Sequence, residues 1–217
     1  LHNSPHSFPT RRSSDLPDLD PESAWSAELG LDQSITDDLL ARLTVYYTRG
    51  FDFIGYRTIG PNQSRMDNIS EVSMAGLDSE LTYTINRYWS TYAGYTLNGS
   101  TVEQDDADVT TEGNDLPFQP RHRGRLGLVL RCASWLTVDL STRYESERYT
   151  DVENTQGSRL DGYATIDLAL SGAISPRVSW KLTCENLLDR RYDVYSVPTE
   201  LSAAPGILVN GSVTVTF

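Results

Sequence analysis

Apolar and polar residues alternate along most of the chain, in segments of about ten residues separated by turns. One such segment places Leu136, Val138 and Leu140 against Thr137 and Asp139. From Ser23 onward about nine segments follow this period of two, and a helical period of 3.6 fits none of them well. They are longer than the roughly 5–6 residues of an average soluble strand and reach the ~9–11 residues of a membrane-spanning strand. The pattern predicts an all-β, antiparallel transmembrane β-barrel fragment of about nine long strands.

The connections between these segments alternate in length. The short ones lie near Ile35–Leu39, Asn86–Tyr88, Cys132–Ser134 and Ser175–Arg177. The long ones are Gly55–Ile69, Glu103–Pro120, Ser146–Asp161 and Leu187–Pro205. Short turns on one side and long loops on the other are typical of an outer-membrane barrel, in which the long loops are extracellular.

Strand alternation also predicts which side chains share a face. The apolar set is expected to face lipid: Leu81, Tyr83, Leu128, Val138, Leu168, Leu182 and Val213. A charged set is expected to face the lumen: Arg42, Asp78, Glu80, Arg123, Arg125, Asp139, Arg143, Asp167, Lys181 and Glu185. Aromatic residues cluster near strand ends, as in the girdles at the two membrane interfaces.

Composition narrows the class of protein. The chain has 217 residues and a formal net charge of −12, which disfavours a nucleic-acid binder. No apolar run approaches the roughly 18 residues of a membrane helix, whereas a barrel strand needs no such run. The acidic run from Glu103 to Asp115 predicts a solvated loop, with a divalent-cation site or an electrostatic element at a substrate entrance as alternatives.

The first sixteen residues do not share the alternating pattern. Leu1–Leu16 read LHNSPHSFPTRRSSDL and resemble a translated sequencing adapter. We expect residues 1–16 to be a non-native or disordered segment, with a native extracellular loop as the alternative, and residues 17–217 to be the barrel portion.

Four motifs connect residues 17–217 with a known family. PDLDPESAWSAELG at 17–30 resembles the "NPxLKPExxxxxELG" segment of TonB-dependent outer-membrane receptors. LPFQPRH at 116–122 resembles their "P-x-x-P-x-H" passage, and ENLLDRRY at 185–192 resembles "ENLFDKxY", with Leu188 in place of the usual Phe. The chain then ends on Phe217 after alternating valines, like the terminal strand of that family.

The resemblance implies a fold and a set of partners. These receptors are 22-stranded barrels with a plugged lumen, so about nine strands would form an open, curved sheet with edges near Trp25–Leu31 and Val209–Phe217. It implies outer-membrane lipid around the barrel, a TonB complex acting through an upstream plug, and the barrel-assembly machinery reading Val213, Val215 and Phe217. It also implies active uptake of a scarce nutrient, with a ferric siderophore as the leading class and cobalamin, haem and glycans still open.

The candidate site residues are few, and no catalytic motif, cofactor site or metal site is expected. His122, Arg123 and Arg125 are candidates for the lumen or substrate path. The resemblance also implies that Tyr192 lies in the outer aromatic girdle. Another outer-membrane barrel, a porin or a hydrolase, is one alternative, and a soluble ligand-binding β-sandwich is the other.

Overall fold

The computed structural model describes residues 19–60, 63–197 and 200–217. Its strands are β1 Ser23–Thr36, β2 Leu39–Gly60, β3 Gln63–Thr84, β4 Trp89–Gln104, β5 His122–Ala133, β6 Leu136–Glu145, β7 Arg148–Tyr149, β8 Arg159–Leu160, β9 Tyr163–Ser175, β10 Val178–Glu185, β11 Asp193–Val197, β12 Glu200–Ala203 and β13 Leu208–Val215. Two 3-10 turns lie at Val109–Thr111 and Gln156–Ser158. The described residues include no helix that is long and apolar enough to cross a membrane.

One antiparallel sheet dominates the described part of the chain. It contains nine strands in the order β1-β2-β3-β4-β5-β6-β9-β10-β13, and two two-stranded ribbons, β7-β8 and β11-β12, lie in the long connections. This confirms the nine-strand prediction, and it disfavours the β-sandwich because no second large sheet packs on the first within these residues. β1 and β13 are the end strands, and every residue of both is exposed, as expected of an open sheet.

The strand register separates the two predicted sets of side chains. Leu128 pairs with Leu140, which pairs with Leu168, so these residues form one apolar row across three strands. Arg125 pairs with Arg143 on the other side of the same strands. The apolar and charged sets therefore lie on opposite faces, which we call the apolar face and the polar face.

The apolar face is covered by nothing in the described structure. Leu126 and Val213 are 55% and 68% exposed, although both lie in the interior of strands. Aromatic rings border this surface. On β4, Tyr95 and Trp89 both lie on the apolar face, six residues or roughly 20 Å apart. An apolar band between two aromatic rows is the arrangement expected for a strand in a bilayer.

The β2–β3 connection differs from the prediction. Gly55–Ile69 was expected to be a long loop, but the ladder continues from Phe53↔Ile69 to Gly60↔Gln63. Asp52 lies just before this extension with φ of 54°, a conformation that Asp tolerates better than most residues. The two 22-residue strands therefore project beyond their neighbours at the end of the sheet that carries the long connections, the long-loop end.

A small apolar core lies at the long-loop end. Ile69, Val72 and Val102 come from β3 and β4, and Leu116 and Val152 come from two long connections. All five are at most 1% exposed. These two long connections are therefore packed onto the sheet at the long-loop end.

Candidate functional site

The charged residues of the polar face form ion pairs across strands. Arg42 lies 3.5 Å from both Asp32 and Glu80. Arg143 donates to Asp167 at 2.7 Å and lies 3.8 Å from Glu185. Most of these side chains are exposed in the described structure, so each pair contributes little to stability by itself. Together, however, they form a charged surface that extends across several strands of the polar face.

Arg125, in contrast, contacts a tyrosine on this surface. Its guanidinium lies 4.9 Å from the ring centre of Tyr92 and donates to the Tyr92 hydroxyl at 3.3 Å. The same hydroxyl donates to Asp139 at 3.2 Å. Arg125 is directly opposite Arg143 in the register, yet no carboxylate among the described residues forms an ion pair with it. Like charges directly opposite each other are destabilising, so this position carries a positive charge that the described part of the sheet leaves unbalanced.

Two clefts on the polar face meet at this arginine pair. One, of about 320 Å³, is also lined by Asp139, Asp167 and Lys181. The other, of about 270 Å³, is lined by Arg123, with Arg125 and Arg143 again contributing. The structure therefore brings Arg123 and Arg125 together on one surface, as predicted from alternation.

His122 lies elsewhere. It pairs with Leu97 and shares the face of Leu126, not that of Arg123. Its Nδ1 atom is 2.8 Å from the hydroxyl of Tyr95, and the two rings stack with centroids 6.1 Å apart. The structure thus separates His122 from the other two path candidates, because even-numbered residues of β5 point to the apolar face.

Two glycines let tyrosine rings lie flat on the polar face. A Cβ atom on Gly127 would stand 2.1 Å from the Tyr92 ring, and one on Gly76 would stand 2.3 Å from the Tyr46 ring. The Tyr46 hydroxyl then donates to the Asn98 side chain at 2.9 Å. These glycines therefore position tyrosines that the sequence alone did not single out as site residues.

The girdle position expected for Tyr192 is wrong. Its ring stacks on Tyr163 at 3.8 Å between centroids and 13° between planes. Tyr163 pairs with Glu145 on the polar face. The chain turns inward after the motif because Asn186 and Asp189 both have positive φ, and the Asn186 side chain accepts from Arg190 N at 2.8 Å.

The acidic run is only partly solvated. Asp105 is fully buried and accepts from Arg57 at 2.6 Å and from the Thr111 hydroxyl at 2.6 Å. Arg57 also lies 3.3 Å from Asp67. Burial lowers the pKa of Arg57, but its hydrogen bond and attraction to Asp105 outweigh this and raise the pKa above its usual value. The Thr110 hydroxyl and backbone N–H lower the pKa of Asp108.

The alternative of a divalent-cation site finds no support here. Among residues 19–60, 63–197 and 200–217, no group of three or more His, Cys, Asp or Glu side chains could hold a metal ion. Arg57 instead occupies the centre of the acidic residues. Asp108 and Glu153 each lie 3.9 Å from its Nη1 atom, so one cation contacts two long connections and the β2–β3 extension.

A two-faced antiparallel sheet with aromatic borders and long connections on one side defines the wall of an outer-membrane barrel. The comparison with family models identifies the protein family. Residues 3–187 match the model described as TonB dependent receptor-like, beta-barrel, and the chain belongs to this family. The match begins inside Leu1–Leu16, a segment that lies outside the described residues.

Individual relatives agree with this assignment. The pesticin receptor of Yersinia enterocolitica is 25% identical over 189 residues, which are 84% of this chain and 27% of that receptor. The crystal structure of the ferric yersiniabactin uptake receptor from Yersinia pestis matches with a TM-score of 0.69 and 22% identity, over 90% of this chain and 30% of that one. A copper transporter matches with a TM-score of 0.71 and 19% identity, over 93% and 32%.

These comparisons limit the conclusions that the fold supports. The chain spans about a third or less of the length of these relatives. A ferric chelate receptor and a copper transporter share the sheet equally well, so the fold does not select the cargo. The relatives are receptors and transporters, which agrees with the expectation of a transport protein rather than an enzyme.

Proposed function

We propose that residues 17–217 form the C-terminal part of the barrel wall of a receptor that imports a ferric siderophore across the outer membrane. The observation that carries the proposal is the nine-stranded sheet, whose exposed apolar face suits lipid and whose polar face suits a lumen. Membership of the TonB-dependent receptor family supports it. The similar receptor from Yersinia pestis takes up a ferric chelate, which makes this cargo the first to test. Energy coupling through TonB and a plug belongs to the same proposal.

On the polar face, Arg123 and Arg125 contact the substrate on its path through the lumen. Arg125 supports this role because its charge lacks a carboxylate partner in the described sheet and stands beside Arg143. His122 lies on the apolar face with Tyr95, so it does not share the surface of Arg123 and Arg125. It lines a separate cleft at the long-loop end instead.

At the C-terminus, Val213, Val215 and Phe217 serve as the signal for the barrel-assembly machinery. Val213 and Val215 pair with Trp180 and Val178 on the apolar face of the end strand. Phe217 follows β13 and is fully exposed, so its ring is accessible to a partner that reads the edge.

Iron uptake by cells tests the proposal. The receptor gene, expressed at full length, should restore growth of a receptor-deficient strain on a ferric siderophore under iron starvation. The same gene should fail in a strain without TonB. Growth that is independent of TonB would indicate a porin, the alternative barrel, and no growth on any ferric chelate would overturn the siderophore assignment.

A further inference from the structure

A third cleft, at the long-loop end, lies apart from the two that meet at Arg125. It has a volume of about 610 Å³, within the range of small-molecule sites. It is lined by β4 residues 98–101, by the connection that carries Gln119 and Arg121 together with His122, and by the connection that carries Arg148. Leu116 and Val152, from these same two connections, belong to the apolar core.

The charge of this cleft is opposite to that of the chain. Three arginines line it, Arg121, Arg148 and Arg159, against the carboxylates of Asp115 and Glu147. Glu147 is already paired with Arg159 at 3.5 Å. The lining therefore carries a net positive charge within a protein of net charge −12. A concave surface of one sign concentrates ligands of the other sign.

Arg148 is the most buried arginine in the lining, and one of its nitrogen atoms lacks a hydrogen-bond acceptor in the described part of the chain although Glu145 lies nearby. Its side chain is 8% exposed, and its guanidinium lies 5.9 Å from the ring centre of Tyr163. Glu145 lies 3.6 Å from its Nη1 atom, which is beyond hydrogen-bond distance, and that buried atom has no acceptor among the described residues. A buried charged donor without an acceptor is unfavourable, and a carboxylate at this point would relieve it.

We infer that this cleft binds an anionic, carboxylate-bearing metal chelate through Arg148 and Arg121. The neighbouring amides of Asn98 and Gln119 offer further donors to its oxygen atoms. The inference rests on the proposed function and adds the chemical class of the substrate.

Two ferric probes separate this inference from the proposed function. The full-length receptor in detergent is titrated with ferric citrate, which is anionic, and with a neutral cyclic ferric trihydroxamate. We expect ferric citrate to bind more tightly and its affinity to fall with salt. Tighter binding of the trihydroxamate would overturn the inference and leave the uptake proposal standing. Binding of neither would also overturn the inference, whereas the uptake proposal is overturned only by the lack of growth on any ferric chelate.

Variants then test the residues. Arg148→Gln and Arg121→Gln should each weaken ferric citrate binding about ten-fold or more, since charge-assisted hydrogen bonds are the strong ones. Arg148→Lys should restore part of the affinity. Arg121 is exposed, so its variant keeps the test valid if Arg148→Gln fails to fold. Arg177→Gln, in the turn at the opposite end, is the matched control. Affinities equal to that control for both glutamine variants would overturn the assignment.

Discussion

Replacing Arg57 with Gln should loosen the long-loop end of the sheet. The Arg57 guanidinium is the cation that contacts buried Asp105, and it also reaches Asp67 and Glu153. Gln at this position keeps some hydrogen bonding but removes the charge. Asp105, which is 0% exposed, is then left as an uncompensated buried carboxylate.

The magnitude depends on this burial. Removing one partner of a buried ion pair typically costs about 3–5 kcal/mol, because the other charge remains without compensation. At about 1.4 kcal/mol for each factor of ten, this is a change of about two to three and a half orders of magnitude in local opening. The connection can open to hydrate Asp105 and relieve part of the cost. We therefore expect local opening to increase about 100-fold.

Hydrogen exchange on the full-length receptor measures this opening. The backbone N–H groups of Ala107 and Asp108 donate to Asp105 Oδ1 at 3.1 and 3.3 Å, so a peptide covering these amides reports the change. Arg65→Gln is the matched control, because Arg65 contacts Asp67 at 2.9 Å but is 60% exposed. Such an exposed pair contributes about 0–1 kcal/mol. Equal exchange in the two variants would refute the reasoning.

Three further changes test other parts of the structure. Gly127→Ala places a methyl group against the Tyr92 ring and should lower the free energy of unfolding in detergent by about 1–3 kcal/mol. Gly99→Ala, where the nearest atom would lie 3.7 Å from the new methyl group, should cost less, and equal losses would contradict the close packing at Gly127. Phe217→Asp should cost only about 0–1 kcal/mol in the refolded barrel but strongly reduce the outer-membrane yield, and an unchanged yield would contradict the assembly signal. Leu128→Arg, near the middle of β5, should cost about 2–4 kcal/mol when unfolding is measured in lipid vesicles, and a cost near zero would mean that this face does not meet lipid.

The sequence predicts much of this fold because alternation is local. The period of two locates the nine strands, and parity alone assigns Leu128 and Arg125 to opposite faces. Parity also indicates that His122 shares the face of Leu126 and not that of Arg123 and Arg125. The motif resemblance did not predict the position of Tyr192 correctly, because the motif does not determine the direction in which the chain turns after the strand.

Contacts between residues far apart in the chain could not be predicted from the sequence. Arg57 and Asp105 are 48 residues apart, and nothing in the acidic run shows which carboxylate is buried. The same holds for Arg148, whose guanidinium lies 5.9 Å from the ring centre of Tyr163, a residue of a different strand. The β2–β3 extension lacks clear alternation, so its pairing is visible only in the ladder.

Fluorescence quenching at two adjacent positions tests the central claim, that the apolar face meets lipid. Leu182 and Thr183 are neighbours in β10 and lie on opposite faces of the sheet. Each is replaced by Cys in a full-length receptor whose Cys132 and Cys184 are changed to Ser, labelled with a fluorophore and reconstituted with brominated lipid. The account predicts strong quenching at position 182 and weak quenching at position 183. Equal quenching at both positions, or the reverse order, would contradict it.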